Sequence, residues 1–290
     1  LDMKYIPLLI SVTLLAVISG CKEETLGPFK GGGPAPAQVS GVTAEALPGG
    51  AKITYSLPKD PNLFYVKAEY EIRPGKTLEK IQTFYDNTLT LDGYGDTLEH
   101  EVRLYSVSRG DVKSAPVTVK VKPLTPPVLK AFKSLNMQAD FGGVTVNFEN
   151  KDSGNIVISL LTKDSTGEII TADIFYTSLK SGQFSVRGFE AKKRWFGLCI
   201  RDRWDNRSDT LTEELTPLYE EKLDKKKFKT LSLPTDAPGT LPITNLWDDV
   251  TAFPQFFRTV TGSGIPHWFS FDLGVTAKLS RYVMIQRGAF

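Results

Sequence analysis

The sequence is poor in cysteine, poor in histidine and close to neutral. Only two cysteines, Cys21 and Cys199, occur among 290 residues, which excludes a disulfide scaffold and a Cys-rich zinc site. The two histidines, His100 and His267, fall in different blocks of the chain. With 35 basic and 33 acidic residues the formal net charge is +2. No strong field therefore draws nucleic acid or anionic lipid, and no nucleic-acid partner is expected. Long apolar runs are missing too: residues 6–18, broken by Pro7, Ser11 and Thr13, fall short of the roughly 20 apolar residues of a membrane span. No serine sits in a nucleophile elbow and no Gly-rich loop joins a strand to a helix. Asp248 and Asp249 are adjacent, so on a strand they would face opposite sides and could not form a glycosidase pair by themselves. These absences lead to the expectation of a protein that is not an enzyme, with no catalytic residue, no metal site and no cofactor.

What is present begins with Met3-Lys4-Tyr5, an apolar core and a small-residue end. Residues 1–20 thus read as a secretory signal peptide. Its end, Ile18-Ser19-Gly20-Cys21, resembles the bacterial lipobox. The resemblance implies cleavage before Cys21 and acylation of its thiol and new amino group. Each buried methylene would add about 0.8 kcal/mol, so several acyl chains give a durable anchor. Lys22, Glu23 and Glu24 follow at once. They resemble the acidic export signal of Bacteroidetes-type lipoproteins, which implies a place on the outer face of the outer membrane. Residues 25–38 read TLGPFKGGGPAPAQ. Glycine and proline dominate, so residues 21–38 are expected to form a flexible tether.

From Val39 the pattern turns to short alternating runs. Ala51, Ile53, Tyr55 and Leu57 alternate with polar residues, as a half-buried strand does. Residues 65–72, 88–91 and 102–107 are further strands, followed by a turn at 108–111 and by Val117, Val119 and Val121 in alternation. Prolines at 123, 126 and 127 end the block. The second block repeats the layout: Gly142-Gly143-Val144-Thr145-Val146-Asn147-Phe148 parallels Gly49-Gly50-Ala51-Lys52-Ile53-Thr54-Tyr55. Residues 156–161, 169–176, 195–200 and 210–215 read as its strands, and Cys199 reads as a small core hydrophobe. Both blocks, 39–125 and 126–217, resemble fibronectin type III domains in length, strand pattern and final hairpin. His100 stands about where that family often has a corner tyrosine. Residues 218–240, including EEKLDKKKFK at 220–229, read as a solvated linker or a short helix.

The third block, 241–290, carries Leu246-Trp247-Asp248, then residues 268–274 (WFSFDLG), then an apolar run at 282–285 before Arg287. That order resembles the amino-terminal half of a discoidin, or coagulation factor type C, domain, a galactose-binding-like jelly roll. Trp268 and Phe269 are expected to pack its core and residues 282–285 to form its next strand. The chain stops at Phe290, about halfway through the strands that the resemblance implies. The block is therefore expected to be a truncated jelly roll with unpaired edges.

The fold class that results is all-β: tandem fibronectin type III-like sandwiches followed by an incomplete jelly roll. Sugars present apolar faces that stack on aromatic rings and hydroxyls that bond to polar side chains. Trp247 with Asp248 and Asp249 has that chemistry on a loop, supplemented by Arg258 and His267. Trp204, at a hairpin turn among charged residues, is a second candidate. Asp96-Thr97-Leu98, Asp164-Ser165-Thr166 and Asp209-Thr210-Leu211 resemble the O-glycosylation sequon of the same bacteria, so Thr97, Ser165 and Thr210 are candidate acceptors. The whole layout resembles a Bacteroidetes surface lipoprotein. That implies a lipid-anchored, non-catalytic outer-membrane protein that presents a glycan-binding-like module, with a glycan ligand and an uptake complex as partners. The alternative is a structural or adhesive, protein-binding component of such a complex.

Overall fold

The computed structural model describes residues 32–262 and 264–285. Cys21, Lys22, Glu23 and Glu24 lie outside the described residues. The first seven strands are β1 (Ser40–Leu47), β2 (Gly50–Ser56), β3 (Leu63–Arg73), β4 (Lys76–Thr83), β5 (Thr88–Asp92), β6 (His100–Ser108) and β7 (Val117–Val121). They form two antiparallel sheets, β1-β2-β5 and β4-β3-β6-β7. Alternation on β2 sends Ala51, Ile53 and Tyr55 inward, and β3 sends Val66, Ala68, Tyr70 and Ile72 to meet them. Full burial of a valine or isoleucine there stabilises the sandwich by about 1.5–3 kcal/mol. The edge strand β4 escapes a periodicity argument. Its two aliphatics, Leu78 and Ile81, stand on opposite faces, and it is held by its ladder with β3 and by Lys67–Glu79 across the strands at 2.5 Å.

The second sandwich opens with a short helix, α1 (Pro127–Phe132), where the sequence alone showed only the prolines that end the first block. Pro127 stands in its first turn, where the missing N–H costs nothing, and Val128 and Ala131 turn inward. Then come β8 (Asn136–Asp140), β9 (Gly143–Glu149), β10 (Ile156–Lys163), β11 (Ile169–Thr177), β12 (Ser181–Arg187), β13 (Arg194–Asp202) and β14 (Leu211–Leu215). The sheets are β12-β9-β8 and β11-β10-β13-β14. The strand order of the first sandwich is thus repeated strand for strand. Phe196, Leu198 and Ile200 are fully buried. Cys199 between them faces the other way, opposite Ser159 on the outer side of its sheet, and is half-buried. It is therefore not a core residue: in a strand, alternation puts it on the face opposite its two buried neighbours. Burial pushes its thiol pKa up, against the pull of Arg207 and Arg201.

Each sandwich ends in the same latch. After β7, Leu124 bridges to Pro48 in the β1–β2 turn, with Gly49 N–H donating to the Leu124 carbonyl at 2.9 Å. After β14, Leu218 bridges to Phe141 in the β8–β9 turn, and Gly142 N–H donates to the Leu218 carbonyl at 2.7 Å. Gly49 and Gly142 hold φ of +62° and +61°, a left-handed conformation that glycine adopts without steric cost.

Asp140 anchors the end of β8. Its carboxylate accepts from Phe141 N–H at 2.7 Å, Ser185 Oγ at 2.8 Å and Arg187 Nη2 at 3.1 Å. Burial pushes its pKa up, but these hydrogen bonds and the Arg187 charge win and hold it below the ordinary 3.8. A lowered folded pKa gives stability that is full above the unfolded value and is lost as pH falls through the folded one. Urea midpoints of the parent and of Asp140→Asn are therefore expected to differ at pH 6 and to converge as pH drops below about 3.8.

The linker and the third block carry little regular structure among the described residues: 3-10 turns at Lys225–Lys227 and Ile243–Leu246, and a two-residue pairing of β15 (Lys229–Thr230) in the linker with β16 (Phe271–Asp272) in the block. Trp268 is 60% exposed and Phe269 41%, so neither packs inside. Residues 282–285 form no strand, and Tyr282 is 83% exposed. An apolar run becomes a strand only against a neighbour, and the described residues supply none there. The block rests on the second sandwich through Glu220, which accepts from Ser280 Oγ at 2.6 Å and pairs with Arg187 and Arg281.

Candidate functional site

The turn after β13 is built by Asp202. This buried carboxylate accepts from the N–H groups of Trp204 and Asn206, both at 2.9 Å, and from the Asn206 side-chain amide at 2.8 Å. Asp205 takes a left-handed φ of +66°, and the turn projects Trp204 out of the second sandwich. The indole lands on the first sandwich and packs against its core. Any side chain at Gly93 would press on the indole ring, and one at Gly95 would overlap the Asn206 amide. Arg73 Nη1 and Lys76 Nζ donate to the Trp204 carbonyl at 3.0 and 2.8 Å. Asn206 Nδ2 donates to the Gly93 carbonyl at 3.0 Å, and Arg203 pairs with Asp92 at 2.8 Å while its guanidinium lies 4.1 Å from the indole centroid. Trp204 is thus a wedge between sandwiches, with Gly93 on one side and Arg203 stacked on it. A cleft of about 370 Å³ runs beside it, lined by Asp92, Asp152, Asn155 and Arg203 among others.

Trp247 closes the 3-10 turn Ile243–Leu246 by donating its N–H to Thr244 O at 3.1 Å. Its ring packs 5.1 Å from Phe271 and 5.8 Å from Phe228, so much of the indole is committed to a small aromatic core. Asp248 is exposed and caps Val250 N–H at 2.9 Å. Asp249 receives Lys225 Nζ at 2.5 Å, and this hydrogen bond holds its carboxyl below the usual range. Arg258 and His267 have other partners: Arg258 Nε donates to Thr240 at 3.4 Å, and His267 Nδ1 lies 2.6 Å from the hydroxyl of Thr259. Among the described residues, no hydrogen bond, ion pair or ring contact joins these two to Trp247, Asp248 or Asp249. Thr97, Ser165 and Thr210 are all exposed, in turns or next to strand ends.

Sequence reasoning missed Arg73, Lys76, Gly93 and Asn206 as partners of the wedge. Arg73, Lys76 and Gly93 lie more than a hundred residues before Trp204 and Asn206 in the chain, and no local pattern carries that. The sign of the latch was available in the paired glycines Gly49-Gly50 and Gly142-Gly143.

Three families match parts of the chain, each described as a domain of unknown function: DUF4959 over residues 36–123, DUF5126 over 124–226 and DUF5000 over 247–289. No curated relative matches. Among solved structures, the chain is 32% identical to a SusE-like protein, covering 53% of this chain and 57% of that one, with a TM-score of 0.34. It thus spans little more than half the length of that protein. A two-domain fibronectin type III segment of chicken tenascin is 14% identical over 62% of this chain and 99% of its own, with a TM-score of 0.29. Three fibronectin domains of chicken CNTN1 are 10% identical over 64% of this chain and 69% of theirs, with a TM-score of 0.26.

Proposed function

We propose that this chain is a lipid-anchored protein of the outer-membrane surface that captures glycans without transforming them. One observation carries the reading: a short apolar run ends at Ile18-Ser19-Gly20-Cys21, and Lys22-Glu23-Glu24 and a Gly/Pro tether follow at once. Acylated Cys21 holds the protein to the membrane, and the acidic stretch directs it outward. The two sandwiches, joined through Trp204, hold the third block away from the surface as a firm spacer. The sequence identity to a SusE-like protein is in keeping with this. The turn of Trp247, Asp248 and Asp249 offers a half-buried ring edge beside two carboxylates.

A second reading, a protein-binding component of a surface complex, is favoured by the outer face of β11. Ile169, Ile174 and Tyr176 are exposed there on an edge strand, the kind of apolar edge that invites a partner.

Labelled palmitate fed to the producing cells is expected to mark the parent, which fractionates with membranes and is removed by protease from intact cells. Cys21→Ser is expected to be unlabelled and to leave the membrane fraction. An unlabelled parent found free in the periplasm would defeat the reading.

A further inference from the structure

The β12-β9-β8 sheet of the second sandwich turns one face to the core and the other to solvent. On the solvent side, strand register sets polar side chains in rows across the three strands. Asn136 stands beside Asn147, and Asn147 beside Gln183. The next row is Gln138, Thr145 and Ser185. On the other side Glu149 stands beside Ser181, with the Ser134 hydroxyl bonded to the Glu149 backbone. These rows hold no apolar side chain. Formal charge is confined to Glu149 and to the Asp140–Arg187 pair further along, 3.1 Å apart. Asparagine is depleted in strands, so an amide row here runs against local preference. The matching sheet of the first sandwich has none: its outer rows are Thr43, Thr54, Thr88 and Glu45, Lys52, Thr90.

Much of the hydrogen-bonding capacity of this face is unspent. The Gln138 amide donates to Asn136 at 2.9 Å, and Gln183 reaches Thr145 only at 3.4 Å. The side-chain amide of Asn147 makes no hydrogen bond among the described residues. A shallow depression of about 480 Å³ lies over Ser134, Asn147, Glu149, Ser181 and Gln183.

We propose that this face is a binding site for neutral polysaccharide, separate from the Trp247 turn. The inference rests on the glycan-capture reading above. A carboxamide offers a donor and an acceptor from one uncharged group, which is what a sugar hydroxyl asks for. The face as a whole is nearly neutral, so it gives anionic chains no attraction. Strands about 4.8 Å apart set amide beside amide, so a glycan lying across them meets several in succession. Phe148, which also lines the depression, is 3% exposed and offers no face to stack on, so each contact is weak, and retention depends on several sugar units engaging together.

The test is native affinity electrophoresis of the full chain through gels containing amylopectin, galactomannan or xyloglucan, with polygalacturonate as the anionic comparison. The parent is expected to be retarded by at least one neutral polymer and not by polygalacturonate. The double variant Asn147→Thr, Gln183→Thr keeps strand-forming side chains and is expected to bind at least tenfold more weakly. Gln183→Glu, which keeps size and adds charge, is expected to weaken binding in the same gels. Trp247→Ala is expected to remain retarded. Retardation of both amide variants equal to that of the parent would overturn the inference. If Trp247→Ala alone then loses retardation, glycan capture stands but belongs to the other site. A parent retarded by no neutral gel would overturn both.

Discussion

Trp204→Ala is expected to uncouple the two sandwiches. The indole packs on the first core, its carbonyl accepts from Arg73 and Lys76, and Arg203 stacks on its ring. Full truncation of a buried large aromatic costs about 3–5 kcal/mol; Trp204 is half-buried, so about 2 kcal/mol is the scale here. Losing that much from the junction separates what the cores of the two sandwiches do on heating. The parent is expected to melt in one calorimetric transition, and the variant in two. Amide exchange should also rise at Gly93 and Asn206, whose bond at 3.0 Å depends on the turn staying seated. A single unchanged transition, with exchange at Gly93 as slow as in the parent, would show that the wedge does not hold the junction.

The second large effect is expected from the smallest change. Gly143 pairs with Arg187 across the β9–β12 ladder, and a methyl group there would overlap the backbone carbonyl of Val186. A flexible side chain could swing aside, but a carbonyl in a ladder cannot, so the strands must part. Overpacking of this kind costs about 3 kcal/mol, the upper end of its usual range. For a domain of this size that lowers the melting temperature by about 12–24 °C. Gly143→Ala is therefore expected to lose the second sandwich well before the first. The equivalent Gly50, whose methyl would overlap the Leu91 carbonyl, is expected to do the same to the first sandwich. Gly167→Asn, in an exposed turn at φ +89° with open space around it, is expected to shift melting little. Domain-resolved melting by amide exchange checks all three; equal melting of Gly143→Ala and the parent would refute the argument.

The sandwiches were legible because alternation is a physical record of two faces. Ile53 and Tyr55, or Leu198 and Ile200, are apolar where the pleat points inward. β4, β8 and β12 were not legible, since each carries few aliphatics and owes its place to its neighbour's ladder. α1 was hidden because Pro126 and Pro127 signal an end as readily as a beginning. The run at 282–285 shows the converse: an apolar run states what a strand would bury, not whether a partner stands beside it. Trp204 was singled out from the sequence for its exposed, charged setting. The same setting serves a junction, and only the distant Gly93 decides between the two uses. For Trp247 only residue types were readable, whereas Phe228 and Phe271, which claim its ring, come from either side of it in the chain.

The outward-facing Cys199 gives this protein a clock. Its thiol stays protonated at neutral pH because burial raises its pKa, and only the thiolate alkylates readily. In the closed sheet the reaction with a maleimide is slow; each time β13 loosens from β10 the sulphur becomes wetter and the rate rises. With Cys21 replaced by serine, the time course of labelling therefore counts openings of the second sandwich through a sulphur the fold already carries.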